Sequence, residues 1–200
     1  MQSLLLGLGM KLALAQGAAG GGVTELAIGD PVAAERHLRA GYETFQAMGE
    51  RYYLAMSTVM LAEALYDQGR FEEAAKMIEG LLDGASPTFA ARAVYVRAKL
   101  LARRGQFAAS RRLADEGARL APAASRLAQA TAQEARAEIE RLAGAPGQAA
   151  AGLNAALLIY EDRRAPALAE RVRTALAGLA APACRDPASL ACSPAYDDTN

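Results

Sequence analysis

Residues 61–78 read LAEALYDQGRFEEAAKMI, and this stretch decides the fold. Before Gly69, Leu61 and Leu65 place apolar side chains at helical spacing, and after it Phe71 opens a second apolar stripe of the same period. A glycine between two such stripes is typical of a junction between helices, because glycine accepts the left-handed conformation that terminates a helix. The stretch therefore predicts two helices joined by a very short linker.

The same phrase occurs four times along the chain. In each copy a glycine is followed two residues later by Phe or Pro, and the copies are Gly29-Asp30-Pro31, Gly69-Arg70-Phe71, Gly105-Gln106-Phe107 and Gly144-Ala145-Pro146. Proline suits the first turn of a helix, where its missing N–H would have no partner. These copies recur every 36 to 40 residues. Units that recur at such a spacing are typical of helical solenoids, in which each helix pair buries its apolar face on the next. The sequence therefore predicts an all-α solenoid of four helix pairs.

The repeat also predicts the helix boundaries. The expected antiparallel pairs are 12–28 with 31–48, 51–68 with 71–82, 88–104 with 107–120, and 124–143 with 146–160, followed by a capping helix over 165–179. Arginines give the last helix a polar flank, as the end of a solenoid requires where no neighbour covers it. The solenoid thus spans 12–179, and the prolines and polar end of 180–200 predict a disordered tail.

The N-terminal residues 1–11 are interpreted as the remnant of a preceding helix or as the start of the chain. Their leucines could form the apolar core of a signal peptide, but no basic residue precedes them and Lys11 interrupts the run. Further on, Gly20-Gly21-Gly22 lacks the lysine of a phosphate-binding loop, so it predicts a weak or kinked piece of helix. We therefore expect neither a membrane anchor nor a nucleotide site here.

Composition and charge exclude several classes of function. The chain has 22 basic and 22 acidic side chains, so it lacks the electrostatic footprint of a general nucleic-acid or acidic-membrane binder. The cations within 92–119 leave a local basic patch as an alternative, but they occupy several helix faces and few aromatic residues lie among them. We therefore expect no nucleic-acid partner and no membrane partner.

No catalytic, cofactor or metal pattern stands out. His37 is the only histidine, whereas a general base needs a substrate proton in reach and a metal needs companion ligands. The two cysteines, Cys184 and Cys192, lie in the tail and are interpreted as free thiols of a reducing compartment, the alternative being a disulfide in an exported protein. We expect a cytoplasmic protein that is not an enzyme and binds no cofactor or metal.

The pattern resembles the tetratricopeptide repeat. The small, aromatic, Gly-aromatic and small positions of that family are carried here by Ala62, Leu65, Gly69-Arg70-Phe71, Ala74 and Ile78. The chain differs from the family in having Thr58 where an aromatic often opens the first helix, and its four glycines are 40, 36 and 39 residues apart, against about 34 residues in the family. The resemblance implies a right-handed solenoid that binds proteins.

Other phrases resemble the C-terminal solenoid of bacterial regulators that carry an adenylate or guanylate cyclase domain, an AAA-type ATPase domain and then many such repeats. The phrases include Leu61-Ala62-Glu63-Ala64-Leu65-Tyr66, Val96-Arg97-Ala98-Lys99 and Leu157-Leu158-Ile159-Tyr160-Glu161. This resemblance implies an alternative function, that of a sensory and regulatory segment whose catalytic domains lie outside this chain.

In tetratricopeptide arrays the first helices of successive pairs line a concave groove, so their outward residues are candidates for partner contact. The main candidates are Glu63, Tyr66, Arg92, Tyr95, Lys99 and Arg103, and the same periodicity adds Met56, Val59, Glu134, Glu138 and Arg141. Tyrosine gives contact area at low entropic cost, and the cations pair with acidic groups. We predict a protein or peptide partner, with an acidic segment as one candidate. The alternative is that these charges form an ordinary solvated face.

Overall fold

The computed structural model describes residues 2–79, 81 and 86–180, and over these ranges the chain is helical with no strand. The helices are α1 (Gln2–Ile28), α2 (Pro31–Met48), α3 (Arg51–Asp67), α4 (Phe71–Ile78), α5 (Pro87–Arg103), α6 (Phe107–Leu120), α7 (Arg126–Leu142), α8 (Pro146–Asp162) and α9 (Pro166–Ala180). The all-α fold is therefore confirmed. The predicted tail lies outside the described residues except for Ala180, and so do both cysteines.

Helices α1 and α4 differ most from the sequence prediction in length, whereas the ends of the other helices lie within two residues of the predicted ones. Helix α1 begins at Gln2 rather than at residue 12, so the N-terminal residues continue into the same helix. Helix α4 ends at Ile78 rather than near residue 82, because Glu79 takes an extended conformation with a ψ of 121°. The bounds of α2 and α6 coincide with the predicted ones.

Left-handed glycines end the helices at the repeated phrases. The φ angles are +89° at Gly29, +78° at Gly69, +74° at Gly105 and +75° at Gly144, and Gly49 joins them at +67°. At each junction the N–H of the following residue bonds back across the turn, as Arg70 does to the carbonyl of Leu65 at 2.9 Å. This is the Schellman arrangement, which satisfies carbonyls that the helix end leaves free. The role predicted for the glycines of the four phrases is confirmed.

Arg164 occupies the equivalent position between α8 and α9 with a φ of 52°. A non-glycine residue in this left-handed region is strained by about 1–2 kcal/mol, and a glycine would remove that strain. The larger conformational entropy of glycine in the unfolded chain offsets part of this gain. We therefore expect Arg164→Gly to raise the free energy of unfolding by about 0.5–1 kcal/mol in urea denaturation.

The neighbouring Arg163 supplies the matched control, since it is also exposed but has a φ of −83°. Glycine there relieves no strain and should cost roughly 0.5 kcal/mol. A loss of stability in Arg164→Gly equal to that in Arg163→Gly would show that Arg164 is unstrained.

Glycines also allow α1 to pack closely on α2. A Cβ added at Gly22 would lie 2.5 Å from Cγ of Leu38, and one added at Gly41 would lie 3.1 Å from the carbonyl oxygen of Ala15. The triple glycine does not interrupt α1, which runs through it unbroken. The sequence predicts a weak or kinked piece of helix here. The structure shows that the missing side chain of Gly22 instead makes room for the neighbouring helix.

Each helix packs against the next one, and further contacts join helices two apart. These contacts connect α1 to α3, α3 to α5 and α5 to α7, and the last helix, α9, contacts α1. The largest apolar cluster of the described residues joins α1 to α5 and includes the buried Leu26, Leu38 and Leu65. The odd-numbered helices consequently share one side of the molecule, and side chains from that side meet in its interior.

Candidate partner-binding site

Charged and tyrosine side chains converge on this shared side, and we call them the inner polar cluster. Its members are Glu63, Tyr66 and Asp67 of α3, Arg92, Lys99 and Arg103 of α5, Glu134, Glu138 and Arg141 of α7, Tyr160 of α8, and Arg171 of α9. The α5 members are spaced seven and four residues apart, which places them on one face of that helix. The cluster therefore joins helices that are distant in sequence.

A two-point ion pair connects α3 to α5. The guanidinium of Arg92 donates to Glu63 through Nε at 3.0 Å and through Nη2 at 2.5 Å. The two side chains are mostly buried, with 27% and 13% of their surfaces exposed. Desolvation raises the pKa of Glu63, but the charge and hydrogen bonds of Arg92 outweigh it and hold that pKa below its ordinary value. Glu63 is therefore ionised in the folded protein at neutral pH.

Tyr66 connects α3 to α7. Its hydroxyl donates to Oε1 of Glu138 at 2.9 Å and accepts a hydrogen bond from Nε of Arg103 at 3.1 Å. Desolvation, together with the charge of Glu138, raises the pKa of Tyr66, so the hydroxyl keeps its proton and remains a donor. The ammonium of Lys99 lies 4.3 Å from the centre of the Tyr66 ring, within cation–π distance.

A second network connects α7 to α8, α9 and α1. The hydroxyl of Tyr160 donates to Glu134, and Nη2 of Arg171 donates to the other oxygen of the same carboxylate at 2.6 Å. Nη1 of Arg171 donates to the carbonyl of Leu26 in the last turn of α1 at 3.2 Å. Burial and the charge of Glu134 raise the pKa of Tyr160, which keeps this donor protonated as well.

Lys99 and Asp67 differ from the rest of the cluster, because neither forms an ion pair with another described residue. Asp67 is exposed to solvent, yet the surrounding protein desolvates its carboxylate and raises its pKa, an effect that the charge of Lys99 opposes. The other carboxylates of the cluster are each paired with an arginine. One cation and one anion are thus available to an incoming group.

Five of the six main candidates from the sequence lie in the inner polar cluster, namely Glu63, Tyr66, Arg92, Lys99 and Arg103. Tyr95 does not. Only 2% of its surface is exposed, and it packs with alanines of α5 and α7 in a separate apolar cluster. The expected position of Tyr95 in a groove is therefore wrong.

Val59 is also fully buried, in the largest apolar cluster, and Met56 packs against that cluster. The structure adds Asp67, Tyr160 and Arg171 to the site. Asp67 lies one helical turn after Glu63, so the periodicity that selected Glu63 also selects it. Tyr160 reaches the cluster from α8, the helix that follows α7, and Arg171 reaches it from α9. The periodicity of the first helices indicates neither contact.

A second polar surface lies outside the inner polar cluster. A cavity of about 440 Å³ is lined by α6, α7 and α8. Its charged side chains pair with one another, Arg111 with Glu140 at 2.6 Å and Arg136 with Asp115 at 2.6 Å. These four charges are already neutralised across helices, which makes this cavity a weaker candidate for binding.

No protein-family model matches the chain, and no curated protein matches it. Within residues 2–79, 81 and 86–180, no helix combines the length and apolar character needed to cross a membrane. The same residues contain no group of three or more His, Cys, Asp or Glu side chains arranged to hold a metal ion.

Proposed function

We propose that the protein is a non-catalytic interaction module that binds a protein segment at the inner polar cluster. The observation that supports this is the convergence of five cations and four carboxylates from α3, α5, α7 and α9, with Lys99 and Asp67 left without an ion-pair partner among the described residues. These side chains are already ordered and partly desolvated in the free protein, so less free energy is lost when a charged segment binds them.

We also propose an architecture and a cellular location for the protein. The chain is a right-handed solenoid of antiparallel helix pairs, similar to the tetratricopeptide repeat, and α1, α3, α5 and α7 are the first helices that line its concave side. The contacts between successive odd-numbered helices support this arrangement. We place the protein in the cytoplasm, with no nucleic-acid, membrane, cofactor or metal partner.

The chemistry of the cluster indicates which segment it accepts. A carboxylate of the partner would pair with the Lys99 ammonium and with Arg103, next to the face of the Tyr66 ring. A basic side chain of the partner would pair with Asp67. Ion pairs at such partly desolvated positions are stronger than at an open surface. The preferred partner is therefore a segment with an acidic residue and a basic residue near it.

Selection of peptides from a displayed random library on the immobilised chain tests this function, followed by calorimetric titration of the selected peptides. Charge reversal at Lys99 or Arg103 is expected to weaken binding by about tenfold or more, since it replaces an attraction with a repulsion. Circular dichroism of each variant checks that it is folded.

Arg97→Glu provides the matched control. Arg97 lies on the same helix, is exposed and forms no ion pair with a described residue. Its charge reversal should leave the affinity within about twofold. Equal weakening by Arg97→Glu and Lys99→Glu would reject the inner polar cluster as the binding site.

A second candidate function is the regulatory segment of a multidomain cyclase or ATPase regulator. It is favoured by Met10 and Leu14, which lie one turn apart on α1 and are 67% and 72% exposed. In a longer solenoid a preceding helix pair would cover such a face.

Sequencing the gene upstream of the Met1 codon tests this alternative. An open reading frame that continues into a cyclase or ATPase domain supports it, and an upstream stop codon with a promoter contradicts it.

A further inference from the structure

The interior in which the inner polar cluster lies is closed by the chain itself. Helix α9 contacts α1, so the two ends of the described array meet. Side chains also meet across the interior, since Tyr66 of α3 reaches Glu138 of α7 at 2.9 Å. A segment that enters the cluster has to compete with these internal contacts, and the ease of opening then controls access.

Arg171 is the side chain that holds the two ends together. Its guanidinium bonds to Glu134 of α7 at 2.6 Å and to the carbonyl of Leu26 in α1 at 3.2 Å. The Leu26 carbonyl also accepts the N–H of Gly29 at 3.3 Å, and it lies at the negative end of the α1 dipole, where a cation is stabilised. No other side-chain hydrogen bond between described residues joins α9 to α1.

The position of Glu134 gives Arg171 a second effect. The same carboxylate accepts the hydroxyl proton of Tyr160, so the guanidinium holds together α1, α7 and α9 while α8 is fixed through Glu134. Arg171 and Glu134 remain in part accessible to solvent. A competing carboxylate or a high salt concentration can therefore reach the pair and weaken it.

We propose that Arg171 is a latch that keeps the array closed and thereby autoinhibits the inner polar cluster. The inhibition rests on the proposed binding function, whereas the closure does not. In the closed form α9 and α1 restrict entry, and in the open form the acidic residue of a partner reaches Lys99 and Arg103. Loss of the latch shifts the population towards the open form and strengthens binding.

Pulsed electron paramagnetic resonance of the full chain measures the closure without a partner. Spin labels are attached at Thr24→Cys on α1 and Thr174→Cys on α9, both exposed, in a background with Cys184→Ser and Cys192→Ser. The parent protein is expected to give a main, narrow peak at short distance, with the open form as a minor component at longer distance. Arg171→Ala is expected to enlarge the population at longer distance, and 1 M salt should do the same to the parent.

Arg173→Ala is the matched control, because Arg173 lies on the same helix and its ion pairs with described residues are those with Glu161 and Glu170. It should leave the distances unchanged. If Arg171→Ala does not fold, as judged by circular dichroism, Glu134→Gln removes the main ionic partner of the latch without deleting its packing and is expected to enlarge the same longer population. Unchanged distances in the folded variant and in high salt overturn the latch.

Affinity for the selected peptides then tests the autoinhibition. Arg171→Ala is expected to bind them about tenfold more tightly, the factor that applies if the open form is roughly a tenth of the parent population. Longer distances with unchanged or weaker affinity overturn the autoinhibition. If the parent and the opened variant bind no selected peptide, the proposed binding function fails, and the distances alone decide whether Arg171 closes the array.

Discussion

Replacing Glu63 with alanine is expected to lower the free energy of unfolding by about 3 kcal/mol. The change would leave the guanidinium of Arg92 mostly buried without its carboxylate. Breaking a buried ion pair from one side costs about 3–5 kcal/mol, and the lower end applies because Arg92 keeps 27% of its side-chain surface exposed. Urea denaturation at pH 7, followed by circular dichroism, measures the loss.

The control for this prediction is an exposed ion pair between neighbouring helices. Glu72 of α4 pairs with Arg104 at 3.2 Å, and both side chains are more than half exposed. Glu72→Ala should lower the free energy of unfolding by no more than about 0.5 kcal/mol. The double variant Glu63→Ala with Arg92→Ala should cost less than the sum of the single variants, because no charge is left buried. A cost for Glu63→Ala similar to that for Glu72→Ala would contradict the prediction.

The same pair makes stability depend on pH. The pKa of Glu63 is lower in the folded protein than its ordinary value, so the unfolded chain binds the proton more readily. The contribution of the pair is complete above the ordinary pKa of a glutamate, near 4.5, and is lost as the pH falls towards the lowered pKa. The difference in stability between the parent protein and Glu63→Ala should therefore shrink when denaturation is repeated below pH 4.5.

The helices could be predicted from the sequence because their signals are local. Gly69 and Phe71 mark a helix end and a helix start within three residues, and the structure has the left-handed glycine that this phrase indicates. The predicted end of α4 lies too late because the apolar pattern continues past Ile78 to Leu81 and Leu82. Gly80, a residue type common at helix ends, is the local signal that this prediction did not use.

The candidate site could be predicted only in part. Periodicity alone selects Glu63, Arg92 and Lys99, because residues on the solvent side of one helix recur every three or four positions. It cannot rank two positions that flank the same face, so it also selects Tyr95, whose ring packs against Gly117 of α6. It also cannot bring Arg171 to Glu134, because that contact joins α9 to α7 across 37 residues of sequence.

The burial of Tyr95 depends on a glycine of the facing helix, and its replacement should have a large effect. Gly117→Val is expected to lower the free energy of unfolding by about 2–3 kcal/mol, the upper part of the range for overpacking. A Cβ at this position would lie 2.5 Å from Cε1 of Tyr95 and 2.9 Å from its Cδ1. The ring cannot move aside freely because it is buried among Ala91, Ala132 and Ala135. The small gain in helix propensity from glycine to valine, under about 0.5 kcal/mol, does not offset the clash.

Two further variants separate this clash from a general effect of valine in a helix. Gly178 lies in α9, and no atom of another described residue lies within 4 Å of an added Cβ, so Gly178→Val should change stability by less than about 0.5 kcal/mol. Tyr95→Leu should recover part of the loss when combined with Gly117→Val, because leucine lacks the ring atoms that the new side chain meets. Thermal and urea denaturation measure all three changes. If Gly117→Val were as stable as Gly178→Val, Tyr95 would not be packed against α6, and its ring would again be a candidate for contact with the partner.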